Sequence, residues 1–258
     1  NGTKTYDGSA LFTSGQVTLT GVNSETFNLA ASANSANASA NSTNPATSFV
    51  GLSVAAAGNY NALNTATLTS NVATISRADY QSISGTKTYD GSALFTSGQV
   101  TLTGVNSESF NLAASANSAN ASANSTNPAT NFVSLSLGAT GNYNALNTAT
   151  LTSNVATINR ADYQTISGAK TYDGSALFTS GQVTLTGVNS ESFNLAATAN
   201  SANATANPIN PGTSFVSFTA PVTGTGTGNY NALNTATLTS NVATINRADY
   251  VTISGAKT

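Results

Sequence analysis

Apolar residues alternate with polar ones in short runs, and glycine or asparagine ends most of the runs. Over 16–20, Val17 and Leu19 share one face and Thr18 and Thr20 the other, the period of a half-buried strand, and Gly21 stops it. Residues 25–29 alternate again, with Phe27 and Leu29 expected to point inward, as do Val50, Leu52 and Val54. The run 65–75 is the longest with β character. Leu68 and Val72 share a face but Ile75 is out of phase, which predicts a bulge or a strand passing between sheets. Residues 30–48 are mostly Ala, Ser and Asn. Ala permits a helix, but Asn and Ser at every second or third position compete for backbone hydrogen bonds, so an extended small-residue strand and loop is expected. Asp7-Gly8 and Ser14-Gly15 mark turns, with Gly8 free to take positive φ. These elements predict an all-β fold.

The whole pattern then restarts. The decapeptide at 3–12 returns at 86–95 and, with one alanine change, at 169–178, so that Tyr6, Tyr89 and Tyr172 stand 83 residues apart. A fixed period of this kind signals an array of modules. The modules read as 1–83, 84–166 and 167–253, and 254–258 opens a fourth. The third is four residues longer, the excess falling between Phe218 and Tyr230 around 223–227, which predicts an exposed loop. No Pro-rich or Ser/Gly-rich linker separates the modules. Tyr80, Ile83 and Tyr89 crowd the first boundary, where a solvated linker would be polar. The expectation is three small β-sandwich or β-grasp-like modules set end to end as a rod. Tyr6 and Tyr60 are expected to be mostly buried, and the boundary segments 77–88, 160–171 and 247–258 to pack on both neighbours. The strand expected over 250–258 is left free to pair with the start of another chain.

Composition narrows the chemistry. Charged residues make up 6% of the chain, against about 25% in an ordinary soluble domain. The net charge is −2 with no basic patch, which argues against nucleic-acid binding. No apolar run approaches the roughly 18 residues of a membrane span. His, Cys, Met and Trp are all absent, so disulfides and thiolate or imidazole metal sites are excluded. The sequence begins and ends mid-pattern and reads as a fragment.

Lys4-Thr5-Tyr6-Asp7-Gly8, then 17–22, then Gly58-Asn59-Tyr60 and the run to Ile75 together resemble the YDG-type repeat of very large bacterial exported proteins, including filamentous-haemagglutinin-like adhesins. The motif residues are Tyr6, Asp7 and Gly8 with Gly58, Asn59 and Tyr60. They recur as Tyr89, Asp90 and Gly91 with Gly141, Asn142 and Tyr143, and as Tyr172, Asp173 and Gly174 with Gly228, Asn229 and Tyr230. The resemblance implies a mostly β module exposed at the bacterial surface or outside the cell, a spacer or adhesive role and no enzymatic activity.

The residues themselves offer little for catalysis. Serine and threonine abound without a histidine base or a Gly-x-Ser-x-Gly elbow. Asp7 and Asp79 read as a turn aspartate and a partner of Arg77 or Lys4 rather than an acid–base pair. Asp7, Glu25 and Asn59 lack the clustered acids that calcium wants. Asn37-Ala38-Ser39 and Asn41-Ser42-Thr43 match the N-glycosylation pattern, which so Asn- and Ser-rich a stretch produces by chance. No catalytic, cofactor or metal residue is assigned. Three roles remain: a structural stalk whose partners are neighbouring repeats, a glycan- or cell-binding module, and a self-associating extracellular fibre.

Overall fold

Short β-prone runs cut by Gly, Asn and Pro can make only short strands. The computed structural model, which describes residues 1–218, 222–224 and 226–257, is all-β, with strands of two to seven residues. Among the described residues the helical turns are three-residue 3₁₀ turns.

Two compact units divide the chain, and neither coincides with a sequence repeat. The first gathers Asn1–Gly85, Phe95–Ser115 and Phe132–Val155; the second gathers Thr86–Leu94, Ala116–Asn131 and the chain from Ala156 onward.

In the second unit Thr165–Thr171 is the central strand. Val183–Thr186 pairs antiparallel with its first half, Ser240–Asn246 runs parallel along all seven residues, and Ser192–Asn194 adds an outer strand. A second sheet joins Leu177–Phe178, Ala197–Ala199 and Phe215–Phe218, all antiparallel. Phe178 and Phe215 meet edge to face at 5.0 Å. Both rings lie against Gly168, where a Cβ would come within 2.9 Å of Phe215 Cζ, so only glycine fits. With Ile166, Leu185 and Ile245 also buried, this is a β-sandwich-like arrangement on an aromatic and aliphatic core.

The first unit uses the same parts. Leu11–Phe12, Ala31–Ala33 and Phe49–Val50 form a three-stranded sheet over a Phe12–Phe49 contact of 5.0 Å. Gly2–Thr5 runs parallel to Ala73–Ser76, and Thr18–Thr20 pairs with Thr26–Asn28. From the second repeat, Val100–Thr103 pairs with Ser109–Asn111 on one side and with residues 82–85 on the other.

The stretch 30–48 is extended at Ala31–Ala33 and then becomes a loop closed by its own side chains. Ser35 Oγ donates to Asn44 O, Asn37 Nδ2 to Thr43 O, and Ser39 Oγ to Ala46 O, while Ala38 and Ala46 are fully buried. The asparagines and serines that disfavour a helix thus supply the loop's internal bonds.

Three local expectations are corrected. The run 65–75 is not one strand: Thr65–Thr67 is a 3₁₀ turn capped by the Asn64 side chain, and the strand begins only at Ala73, with Ala73 and Ile75 inward and Val72 exposed. Phe27 is 43% exposed, whereas its equivalent Phe193 is 1% exposed. Two contacts make that difference: a tyrosine of the preceding repeat packs edge-on against the ring, Tyr163 on Phe193 at 5.4 Å as Tyr80 on the part-buried Phe110, and the inserted loop adds to it. Thr223 exchanges two backbone hydrogen bonds with Asn194, and Gly224 lies so near the Phe193 ring that a Cβ would be 2.9 Å away. The inserted loop therefore covers core while Thr223 and Gly224 stay exposed; Thr225 lies outside the described residues. Finally, 250–257 carries no strand, and Tyr250, Val251 and Ile253 are almost wholly exposed; Thr258, also assigned to that strand, lies outside the described residues.

Candidate functional site: the joint between successive repeats

The motif residues of neighbouring repeats meet each other. In the first unit the loop after Ala31–Ala33 presents the Ala38 N–H, the Asn41 amide and Asn37 Oδ1 as a polar cradle. Asn142, from the Gly-Asn-Tyr motif of the next repeat, fills it. Its Oδ1 accepts from Ala38 N (2.9 Å) and Asn41 Nδ2 (2.8 Å), and its Nδ2 donates to Asn37 Oδ1 (3.2 Å). Arg77 closes the flank, Nε donating to Gly141 O (3.1 Å) and Nη2 to Ala40 O (3.0 Å). Ala78 exchanges backbone bonds with Asn142 and Asn144, and Asn144 Nδ2 donates to Asp79 (2.8 Å). Asp79 was expected to pair with Arg77 or Lys4; carbonyl oxygens at the joint occupy Arg77 instead.

Beside this cradle lies a tyrosine cluster. Tyr80 stacks on Tyr143 at 4.7 Å, and Tyr6 meets Tyr143 edge-on at 5.7 Å. The Tyr6 hydroxyl donates to Glu108 Oε1 (2.6 Å), and the Tyr143 hydroxyl donates to Glu108 Oε2 while accepting from Val105 N (2.9 Å). Burial, then the hydrogen bond to Glu108, pushes both phenol pKa values up. The Tyr80 hydroxyl is buried without a partner, and burial alone pushes its pKa up.

Tyr-Asp-Gly belongs to the same contact. Asn106 Nδ2 donates to Asp7 O, and Gly8, at φ +79°, lies where a Cβ would stand 2.0 Å from that nitrogen. Asp7 itself is held by Lys4 at 2.6 Å and accepts from Ser9 N at 3.0 Å. Burial raises its carboxyl pKa, but those bonds outweigh it and the net is a lowering. Lys4 is buried, also donating to Leu11 O (2.9 Å), with its ammonium 5.2 Å from the Phe12 ring centre.

The second unit repeats this joint. Asn229, 1% exposed, accepts from Ala121 N and Asn124 Nδ2 and donates to Asn120 Oδ1. Tyr163 stacks on Tyr230 at 4.6 Å, Tyr89 and Tyr230 both donate to Glu191, Arg160 binds Gly228 O and Ala123 O, and Asn189 binds Asp90 O. Burial and the Glu191 bond push Tyr89 up to about 12, and Tyr230 is raised for the same two reasons. Gly91, at φ +79°, is confined by Asn189 as Gly8 is by Asn106.

The end motifs have no such neighbours. Asn59 is exposed and Tyr60 only partly buried, its hydroxyl donating to Glu25 (2.6 Å), whose carboxyl is held below its usual range by that bond. Tyr60, expected to be mostly buried, is not; its equivalents Tyr143 and Tyr230 are buried because the tyrosine that stacks on each comes from the preceding repeat. At the other end Tyr172 is 45% exposed and nothing lies within 4 Å of a Cβ at Gly174, although Asp173 still binds Lys170 at 2.6 Å.

Glu108, Glu191, Asn106 and Asn189 do not stand out in the sequence pattern, and Arg77 was expected only as an ion-pair partner. The usable signal was that in a chain so poor in charge each charged residue recurs at a fixed place. Chemically the joint offers neutral hydrogen bonding, stacked phenols and one carboxylate shared by two hydroxyls. Among the described residues no group of three or more acidic, His or Cys side chains gathers as a metal site, and no helix is long and apolar enough to cross a membrane. Comparison with protein-family models, with curated proteins and with solved structures found no match.

Proposed function

We propose that the chain is a run of non-catalytic structural repeats, a stalk or spacer of a large secreted or cell-surface bacterial adhesin. The observation that carries the reading is where the motif residues go. Tyr-Asp-Gly and Gly-Asn-Tyr, the residues most diagnostic of the repeat, are engaged in repeat-to-repeat contact in both joints. A repeat whose characteristic residues bind its neighbour is suited to holding a repeating geometry. The extracellular setting rests on the resemblance to YDG-type repeats.

A glycan-binding role draws less support. It calls for an exposed aromatic platform in each repeat, and Tyr6, Tyr89, Tyr143 and Tyr230 are buried. The test is small-angle scattering of chains carrying three and six repeats. A stalk with fixed joints roughly doubles its maximum dimension with repeat number. A clearly smaller increase, with a broad distribution of shapes, overturns the reading.

A further inference from the structure

The third repeat covers one of its sheet edges with its own chain. Thr223 lies antiparallel to Asn194 and the two exchange both backbone bonds, Asn194 N to Thr223 O (3.1 Å) and Thr223 N to Asn194 O (3.0 Å). That register sets Gly224 against Phe193 and Val222 beside Leu195, and the two covered side chains are 1% and 0% exposed. Gly224 has φ +145°, and a Cβ there would stand 2.9 Å from Phe193 Cδ1, so both backbone and space call for glycine.

The second repeat has the same edge without the cover. Ser109–Asn111 matches Ser192–Asn194 residue for residue and pairs with Val100–Thr103 as its equivalent pairs with Val183–Thr186. Gly104 N donates to Glu108 O as Gly187 N donates to Glu191 O. The alternation along an antiparallel strand therefore turns the N–H and C=O of Ser109 and Asn111 away from Val100–Thr103, as it does those of Asn194. Among the described residues no hydrogen bond reaches either outward pair. The neighbouring tyrosines are not what differs. Tyr80 and Tyr143 meet the Phe110 ring at 5.6 and 5.2 Å, and Tyr163 and Tyr230 meet Phe193 at 5.4 and 5.1 Å. Phe110 and Leu112 nevertheless stay part-exposed. What they lack is the cover that the third repeat draws from its insertion.

We propose that the edge Ser109–Asn111 binds an extended peptide of a partner protein, an uncharged stretch with an apolar residue two places before a glycine. Val222-Thr223-Gly224 supplies the pattern. The glycine lies against Phe110, the apolar side chain covers Leu112, and the residue between them exchanges two backbone bonds with Asn111. A peptide that runs straight on past its glycine reaches the N–H and C=O of Ser109 as well. The edge itself, Ser-Phe-Asn, carries no charge, and the adjacent Glu108 carboxylate is already taken by two tyrosine hydroxyls. A second copy of the same edge fits badly. Pairing Asn111 with Asn111 sets Leu112 against Phe110, and pairing Asn111 with Ser109 sets Phe110 against Phe110, where the third repeat admits glycine. The proposal rests on this edge and does not require a stalk.

The test is a nuclear magnetic resonance titration of the full chain with a capped peptide of the sequence 220–226, taken to about 10 mM, the range of a short single contact. Amide shifts confined to 109–112 and saturating with a millimolar Kd are expected. Gly224→Val in the peptide should weaken binding at least about tenfold, and it leaves the protein untouched. Asn111→Pro removes the outward donor while the inward ladder stays in place, since proline is tolerated where an edge N–H faces solvent. That variant should melt near the parent and lose the shifts at its neighbours. The absence of shifts at 10 mM overturns the proposal, as do shifts centred elsewhere or binding that survives both substitutions. Changes at 109–112 that follow protein concentration without peptide make the occupant a second copy and also overturn it. None of these outcomes bears on the stalk reading, which scattering tests separately.

Discussion

Replacing Asn229 by alanine isolates the energy of one joint. The side chain is 1% exposed and makes three hydrogen bonds, to Ala121 N (2.9 Å), Asn124 Nδ2 (2.8 Å) and Asn120 Oδ1 (3.1 Å). Ala121 is fully buried, so its N–H cannot turn to water, and leaving such a donor unpaired costs about 1–3 kcal/mol. Asn120 and Asn124 lie nearer solvent and each lose about 0.5 kcal/mol after rehydration. The expected loss is about 2–4 kcal/mol. Asn142→Ala removes the same three bonds from a less buried site and should cost less. Asn59→Ala, in the same motif with no cradle to fill, should cost under about 0.5 kcal/mol. Urea unfolding at neutral pH with unchanged m-values measures all three. If Asn59→Ala were as damaging as Asn229→Ala, the asparagine would serve its own turn, and the account of the joint would be wrong.

The tyrosine clusters predict alkaline lability. Tyr6, Tyr89, Tyr143 and Tyr230 hold their protons above the ordinary phenol pKa of 10.0, with Tyr89 at about 12. Their stabilisation is complete below pH ~10 and is lost as pH rises toward the folded values, by about 1.4 kcal/mol per pH unit for each tyrosine; urea midpoints that stay level from pH ~9 to ~11 would contradict this. Gly91→Ala and Gly174→Ala both place alanine at a φ near +80°, costing about 1 kcal/mol each. At Gly91 the new Cβ also meets Asn189 Nδ2 at 1.8 Å, so thermal melts should show that variant the weaker by at least about 1 kcal/mol, and equal losses would refute the assigned contact.

The period-2 alternation made the all-β class legible, and Val17 is buried as that pattern requires, but in the short strand Phe49–Val50 it is Phe49 that is buried and Val50, read in the alternation, that is 49% exposed. The turn at Gly8 was legible too, because only a positive φ explains glycine after aspartate there. What escaped was relational. Tyr60, Tyr143 and Tyr230 sit in the same motif, yet their burial differs because the covering residues lie in the preceding repeat. Local pattern cannot show that Asn142 fits a loop a hundred residues earlier, or that Asn71 binds both the N–H and the carbonyl of Phe49 as a strand would. The phase slip at Ile75 was visible and misread, since a 3₁₀ turn rather than a bulge resets the register.

The parallel ladder of the third repeat has a mechanical consequence. The chain enters the repeat through Thr165–Thr171 and leaves through Ser240–Asn246, and these strands run side by side in the same direction over seven residues. Tension carried along the backbone pulls the start of one strand against the end of the other, parallel to their axes. The load falls on the evenly spaced rungs together, as shear, where a hairpin pulled from its two open ends would peel one rung at a time. A repeat closed in this way resists being drawn out lengthwise, since all seven rungs must give together.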